Sequence, residues 1–204
     1  MSRKSEKQKR LPWGERREHT RARLLAAARA VIAEKGFHRT SLDEIAARAE
    51  LTKGAIYDNF ASKDELFLAV VAAWAAERAQ RFTWPEGRTG SLEERLRKFA
   101  QAVIADAPAA EAEAPMRAEF LLYTLTHEDV RRRIAEAAVM RLAAVRERAA
   151  KFLSEDELPL PLDQFVLLLE ALIPGLIFIR SQNPKLVPDE LIIAIFESFA
   201  RGVS

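Results

Sequence analysis

Residues 37–66 read Phe-His-Arg-Thr-Ser-Leu-Asp-Glu-Ile-Ala-Ala-Arg-Ala-Glu-Leu-Thr-Lys-Gly-Ala-Ile-Tyr-Asp-Asn-Phe-Ala-Ser-Lys-Asp-Glu-Leu. Three helix starts are written into this stretch. Ser41 with Glu44 and Ser62 with Glu65 are Ser-x-x-Glu capping boxes, in which a hydroxyl and a carboxylate satisfy backbone N–H groups that a first helical turn leaves open; between them Thr52 is placed to cap another helix. The signals predict short helices over about 42–49 and 53–59 and a longer one over about 63–81. Leu42, Ile45, Ala46 and Ala49 recur at i, i+3, i+4, i+7 and bury one face of the first; Ile56 and Phe60 anchor the second, with Leu51 in the turn between them. Lys53, Tyr57 and Asn59 are left without a core role. Gly54 and Ala55 make the start of their helix slim enough to approach a DNA backbone, or base edges in a major groove about 12 Å wide.

Upstream, a helix is predicted from about Thr20 to Lys35, with Leu24, Leu25, Ala28, Val31 and Ile32 on one face and Gly36 as its stop. With this helix in front, the phrases Thr-Ser-Leu-Asp-Glu-Ile-Ala (40–46), Thr-Lys-Gly-Ala-Ile-Tyr (52–57) and Asn-Phe-Ala-Ser-Lys-Asp-Glu-Leu (59–66) resemble the tetracycline-repressor (TetR) family of regulators, most strongly over residues 20–75. The resemblance implies a helix-turn-helix over Ser41–Phe60 whose helix from Lys53 enters the major groove. It assigns DNA contacts to Ser41, Thr52, Lys53, Gly54, Ala55, Tyr57 and Asn59, and a phosphate contact to Lys63. The chemistry agrees: lysines offer point charges to phosphates, Tyr57 a hydroxyl on a stiff ring, Asn59 a donor and an acceptor, and the helix start free amides. The alternative for Tyr57 is a packing tyrosine with its hydroxyl in water, and for Asn59 a helix-terminal residue in a left-handed conformation. One position departs from the family pattern. Glu50 stands in the turn where glycine is usual, which predicts about 1 kcal/mol of strain and puts a negative charge near the DNA.

Charge is distributed unevenly. Nine basic against three acidic residues give +6 over residues 1–23, and five of each sign over 24–60 leave −4 for 61–204 within the total of +2. A basic end on an acidic remainder is the footprint of nucleic-acid binding at one end only. Residues 1–15 lack periodic apolar content and read as a basic flexible tail. At 49% hydrophobic and 30% charged, the 204-residue chain has an ordinary globular composition.

Beyond residue 81, Phe82–Gly90 reads as a connector, and Ser91 with Glu94 is a third capping box opening a helix to about Ala107. Pro108 and Pro115 punctuate the chain before helical patterns at Met116–Leu125 and Glu128–Leu153, the latter with Ile134, Val139, Leu142 and Val145 as apolar positions. After Pro159 and Pro161 come two final helices, about 162–181 and 189–201. Period-2 alternation is absent, so the expected fold is all-α with about nine helices. The expected organisation is a tail over 1–15, a helix-turn-helix domain over 16–64, a linking helix over about 63–81, and a ligand-binding and dimerisation domain over 65–204.

Leu167 to Ile179 cover nearly the whole circumference of one helix, and Leu191 to Phe199 show the same excess, which suits a four-helix dimer interface across a two-fold axis; both can also be central core helices. The interface residues expected are Leu172, Leu176, Phe178, Ile192, Phe196 and Phe199, with a kink at Pro174. Trp84, Met116, Phe120, Tyr123 and His127 are the candidates to line a cavity for a small apolar or amphipathic ligand, each being also an ordinary core residue. The apolar run Phe165–Ile179, broken by Glu170 and Pro174, reads as a buried helix shorter than a membrane span, and no secretory signal is read, so a cytoplasmic protein is expected. With no cysteine, three histidines outside any metal-ligand spacing and no phosphate-cradling glycine loop, no enzymatic role, metal or cofactor is expected. Together these readings predict a homodimeric repressor that a small molecule releases from a double-stranded DNA operator. The alternative is a helical protein-interaction module that does not bind DNA.

Overall fold

The computed structural model describes residues 13–201. Among them are nine α-helices: α1 (Trp13–Lys35), α2 (Leu42–Arg48), α3 (Lys53–Tyr57), α4 (Lys63–Arg81), α5 (Leu92–Ala112), α6 (Ala114–Thr126), α7 (Glu128–Ala149), α8 (Leu162–Gln182) and α9 (Asp189–Arg201), with one 3₁₀ turn at Glu155–Glu157. Most of the tail read over residues 1–15 lies outside the described residues, and Trp13–Glu15 open α1. That helix begins a full two turns before Thr20, because its first turns are polar and carry no apolar period.

The helix starts follow their capping chemistry. Ser41 Oγ accepts from the Glu44 amide at 3.2 Å while Glu44 accepts from the Ser41 amide at 3.1 Å. Ser91 and Glu94 repeat this at 3.2 and 2.9 Å. Gly90 precedes this cap at φ +84°, a left-handed conformation that glycine enters at least cost, and a Cβ there would press on the Glu94 carboxylate of the box. At Ser62 the box is displaced: its hydroxyl accepts from the Glu65 amide, but Glu65 accepts from Ala61. α5 runs through Pro108 to Ala112 instead of stopping before it. The flanking alanines favour helix, and Ala107 and Ala110 are buried against Ile177 of α8, so packing outweighs the one hydrogen bond that proline removes. Pro115, at the second position of α6, needs no amide partner there. α8 likewise continues through Pro174.

Contacts divide the chain into two units, one ending at Trp74 and one starting at Ala75. In the first, Leu24, Ala28, Val31, Ile45, Ile56, Phe60 and Leu66 bring α1 to α4 onto one core. In the second, α5 is the central helix, packed on α8 and α9. Phe99 stacks on Phe152 at 5.7 Å and meets Phe196 edge-on at 5.4 Å. Arg95 is buried beside them, donating to the Phe152 carbonyl at 2.7 Å and to Glu157 at 2.5 Å. At the end of α4, Arg81 donates to Asp106 of α5 and to Glu113 at the α5–α6 joint, both at 2.8 Å. The two carboxylates hold its guanidinium pKa above the ordinary value.

α8 is the one helix among the described residues long and apolar enough to cross a membrane by length and composition, longer than the apolar run alone suggests. Its apolarity has two destinations. Phe165, Val166, Leu169, Leu176 and Ile177 are buried, while Leu167, Phe178 and Ile179 face outward.

Candidate nucleic-acid interface

α3 is five residues long and sits on α2 through buried Ile56. Thr52 caps it, accepting from the Ala55 amide at 3.3 Å. Lys53, Gly54 and Tyr57 lie on its open face, Tyr57 55% exposed. Gly54 is in ordinary helical backbone, and a Cβ there would meet only Thr52 Oγ1 at a comfortable 3.6 Å. Neither a positive φ nor a crowded neighbour among the described residues requires glycine there.

The structure separates the expected contact set into two groups. Ser41, Thr52, Lys53 and Tyr57 are exposed at the surface, with Ala55 half-buried. Asn59 and Lys63 turn inward. Asn59 Nδ2 donates to the Ala55 carbonyl at 2.8 Å, and its backbone is not left-handed, so its side chain finishes α3 rather than reaching away from it. Lys63 Nζ donates to the Phe37 carbonyl at 3.2 Å and stands 4.5 Å from that residue's ring centroid. Burial pushes this ammonium below the ordinary lysine value, opposed by Asp64.

Internal ion pairs surround the face. Arg48 forks onto Glu34 at 2.9 and 2.6 Å, Lys35 pairs with Glu44, and Lys53 Nζ meets Asp43 Oδ2 at 2.9 Å. Lys35 and the Ser41 capping bonds together bring the Glu44 carboxyl down to about 2. Two supports escaped the sequence reading because they come from α1. Arg21 donates to the Asn59 carbonyl at 3.0 Å and lies 4.3 Å over the Phe60 ring. Arg23 donates to the Ala49 carbonyl at 2.6 Å and reaches Glu50 at 3.5 Å.

Glu50 adopts φ 52°, the single non-glycine residue with positive φ among the described residues. This left-handed turn swings the chain from α2 into α3. Its partner Arg23 offsets little of the strain, because Glu50 is 87% exposed and surface pairs contribute about 0–1 kcal/mol. Glu50→Gly is therefore expected to raise unfolding stability by up to about 1 kcal/mol, the αL penalty less glycine's entropy cost. A denaturant midpoint that falls instead would show that the Arg23 bridge outweighs the backbone.

The remaining sites also sort by burial. Met116 and Tyr123 are buried, Phe120 half-buried, and Tyr123 stacks on His127 at 3.7 Å. Trp84 stands apart from them, packed between Phe82, Phe99 and Phe152 in the α5 core. Of the expected interface residues, Ile192 and Phe196 are 0% exposed and belong to the core of a single protomer, where α9 lies along α5. Leu176 is buried too, Leu172 and Phe199 are half-buried, and Phe178 points out at 56% exposure. Val139, expected as an inward position on α7, is exposed as well.

Residues 24–70 match the family described as bacterial regulatory proteins, tetR family. Over 55 residues the chain is 46% identical to the HTH-type transcriptional activator FasR of Mycolicibacterium smegmatis, a match spanning 27% of this chain and 25% of FasR. Over 174 residues it is 28% identical to the HTH-type transcriptional regulator SrpR of Pseudomonas putida, spanning 82% of this chain and 79% of SrpR. Salmonella enterica GusR shares the fold, with a TM-score of 0.71 at 22% identity, covering 91% of this chain and 95% of GusR.

Proposed function

We infer that this chain is a member of the tetracycline-repressor (TetR) family of bacterial regulatory proteins, and on that premise we propose that it is a DNA-binding transcriptional regulator working as a cytoplasmic homodimeric repressor. The observation that supports DNA binding is the open face of α3, where Lys53, Gly54 and Tyr57 are exposed and nothing among the described residues requires glycine at position 54. Thr52, Ala55 and Ser41 border the same face. Asn59 and Lys63 act behind it, fixing α3 and the start of α4.

Dimerisation is assigned to the outward stripe of α8, where Leu167, Ala171, Gly175 and Phe178 are exposed at helical spacing, with Leu191 and Ala194 exposed on α9. Small residues between large ones let two such helices approach closely across a two-fold axis. Release is assigned to a small apolar or amphipathic ligand held near Met116, Phe120, Tyr123 and His127, which favours a dimer unable to fit its operator.

Selection of bound fragments from random duplex DNA tests the class and yields the operator. Inverted half-sites about 34–36 Å apart, or a multiple, are expected from a two-fold dimer; no enrichment over a random pool overturns DNA binding. With that operator, any small molecule that raises the melting temperature should bind operator-bound dimer more weakly than free dimer, by the factor with which it weakens the operator. Equal binding to both overturns release by ligand.

A further inference from the structure

We propose, building on the assignment of α3 as the DNA-facing helix, that Asp43 is an internal stand-in for a DNA phosphate, so that operator binding exchanges one anion for another on Lys53. The pair spans 2.9 Å between Asp43 Oδ2 and Lys53 Nζ, and the two side chains keep 70% and 48% of their exposure. It is a surface contact between two helices, on the face that the reading above gives to DNA.

Beyond favouring the N-terminus of α2 as a first-turn carboxylate, Asp43 serves neither the cap nor the core. Ser41 and Glu44 complete the cap of α2 between themselves, and the core side of α2 is Ile45, Ala46 and Ala49. Lys53 follows the cap Thr52, whose hydroxyl already serves the Ala55 amide. The ammonium is held above the ordinary lysine value, first by its hydrogen bond to Asp43 and then by that carboxylate's charge. The pattern around it is the same, since Arg48, Lys35 and Arg23 are each matched to an acid, Glu34, Glu44 and Glu50.

Exchange has a cost that a free lysine would not carry. When Lys53 turns to a phosphate, Asp43 loses its partner and is left as a bare negative charge beside a polyanion. A cation must then stay near it, so one fewer counterion is released on binding. Asp43 thereby lowers affinity for every DNA sequence by the same factor and leaves discrimination to the base contacts.

The test uses the full chain with its selected operator and a scrambled duplex. Asp43→Asn should bind both about 1.5- to 5-fold more tightly per half-site, the scale of one exposed ion pair. Its plot of log affinity against log salt should steepen by up to about 0.9 per half-site. In a Lys53→Ala background the same substitution should lose most of this gain. Asp43→Ser, read with circular dichroism melts, separates any effect on α2 from the charge effect. Independently of DNA, the Lys53 ammonium should titrate closer to an ordinary lysine in Asp43→Asn, followed by nuclear magnetic resonance of the side chain.

Unchanged affinity and slope in Asp43→Asn, with wild type binding well, would overturn the exchange and leave the DNA assignment standing. An equal gain in the Lys53→Ala background would also overturn it, because the effect would then be repulsion at a distance. Failure of the wild type to bind any duplex would overturn the assignment of α3 and the exchange with it.

Discussion

Phe178→Glu is expected to convert the dimer to a monomer that keeps its helical content, whereas Phe196→Glu is expected to abolish folding. Both side chains belong to the apolar excess of the last two helices, but they end in different solvents. Phe178 is 56% exposed on the outer stripe of α8, so a carboxylate there is solvated until a second copy covers it. Covering it would strand an unpaired charge in a desolvated interface, a cost of several kcal/mol. Phe196 is fully buried, 5.4 Å from Phe99 and 6.3 Å from Phe199. A charge in that position adds its burial penalty to the loss of a large aromatic, about 3–5 kcal/mol for the ring alone, against a typical total stability of about 5–15 kcal/mol. Sedimentation and circular dichroism distinguish the outcomes. A Phe178→Glu protein that sediments as an intact dimer would move the interface off α8, and a folded Phe196→Glu protein would contradict the packing of α9 on α5.

On the DNA face, Tyr57→Ala and Lys53→Ala should each lose about 1–3 kcal/mol of operator binding, or roughly 5- to 150-fold, with little change in melting temperature. Tyr57 is expected toward the upper end, since its ring is 55% exposed and open to a partner. Lys53 is expected toward the lower end, since Asp43 competes for it in the free protein. Gly54→Ala sharpens the contrast. It should leave the fold as stable or slightly more so, by less than the roughly 1 kcal/mol of a helix-interior glycine, since a Cβ has room there, yet weaken the operator if α3 lies close against DNA. Fluorescence anisotropy on the selected operator, with melting curves in parallel, reads both quantities. Unchanged affinity in all three variants would remove α3 from the interface.

Residues 37–66 were legible because caps and core spacing are local signals. Ser41, Thr52 and Ser62 each mark a helix start within a few residues, and Ile45, Ala46, Ala49 and Ile56 are buried as the period requires. Glu50 was legible for a related reason, as a backbone demand made by a turn and met by an unsuitable residue. The internal bonds of Asn59 and Lys63 were not legible, because the direction of a polar side chain is decided by its partners, here the carbonyls of Ala55 and Phe37, the second of them 26 residues away. Arg23 and Arg95 carried no signal at all, their partners lying 26 and 57 residues off. In α8 and α9 composition announced an apolar excess without saying which residues α5 would cover, so Ile192, Phe196 and Phe178 looked alike. Pro108 shows the opposite error, a strong local rule outweighed by alanines packed on a neighbouring helix.

The Arg81 joint has a mechanical consequence. One guanidinium fastens the last residue of α4 to the middle of α5 and to the residue between α5 and α6, through three hydrogen bonds to two carboxylates that are themselves nearly covered. Each N–H that leaves its carboxylate uncovers a charge that was nearly covered, so loosening the joint draws water to the acids. A displacement of α6 at Glu113 bears directly on the end of α4 through the same side chain.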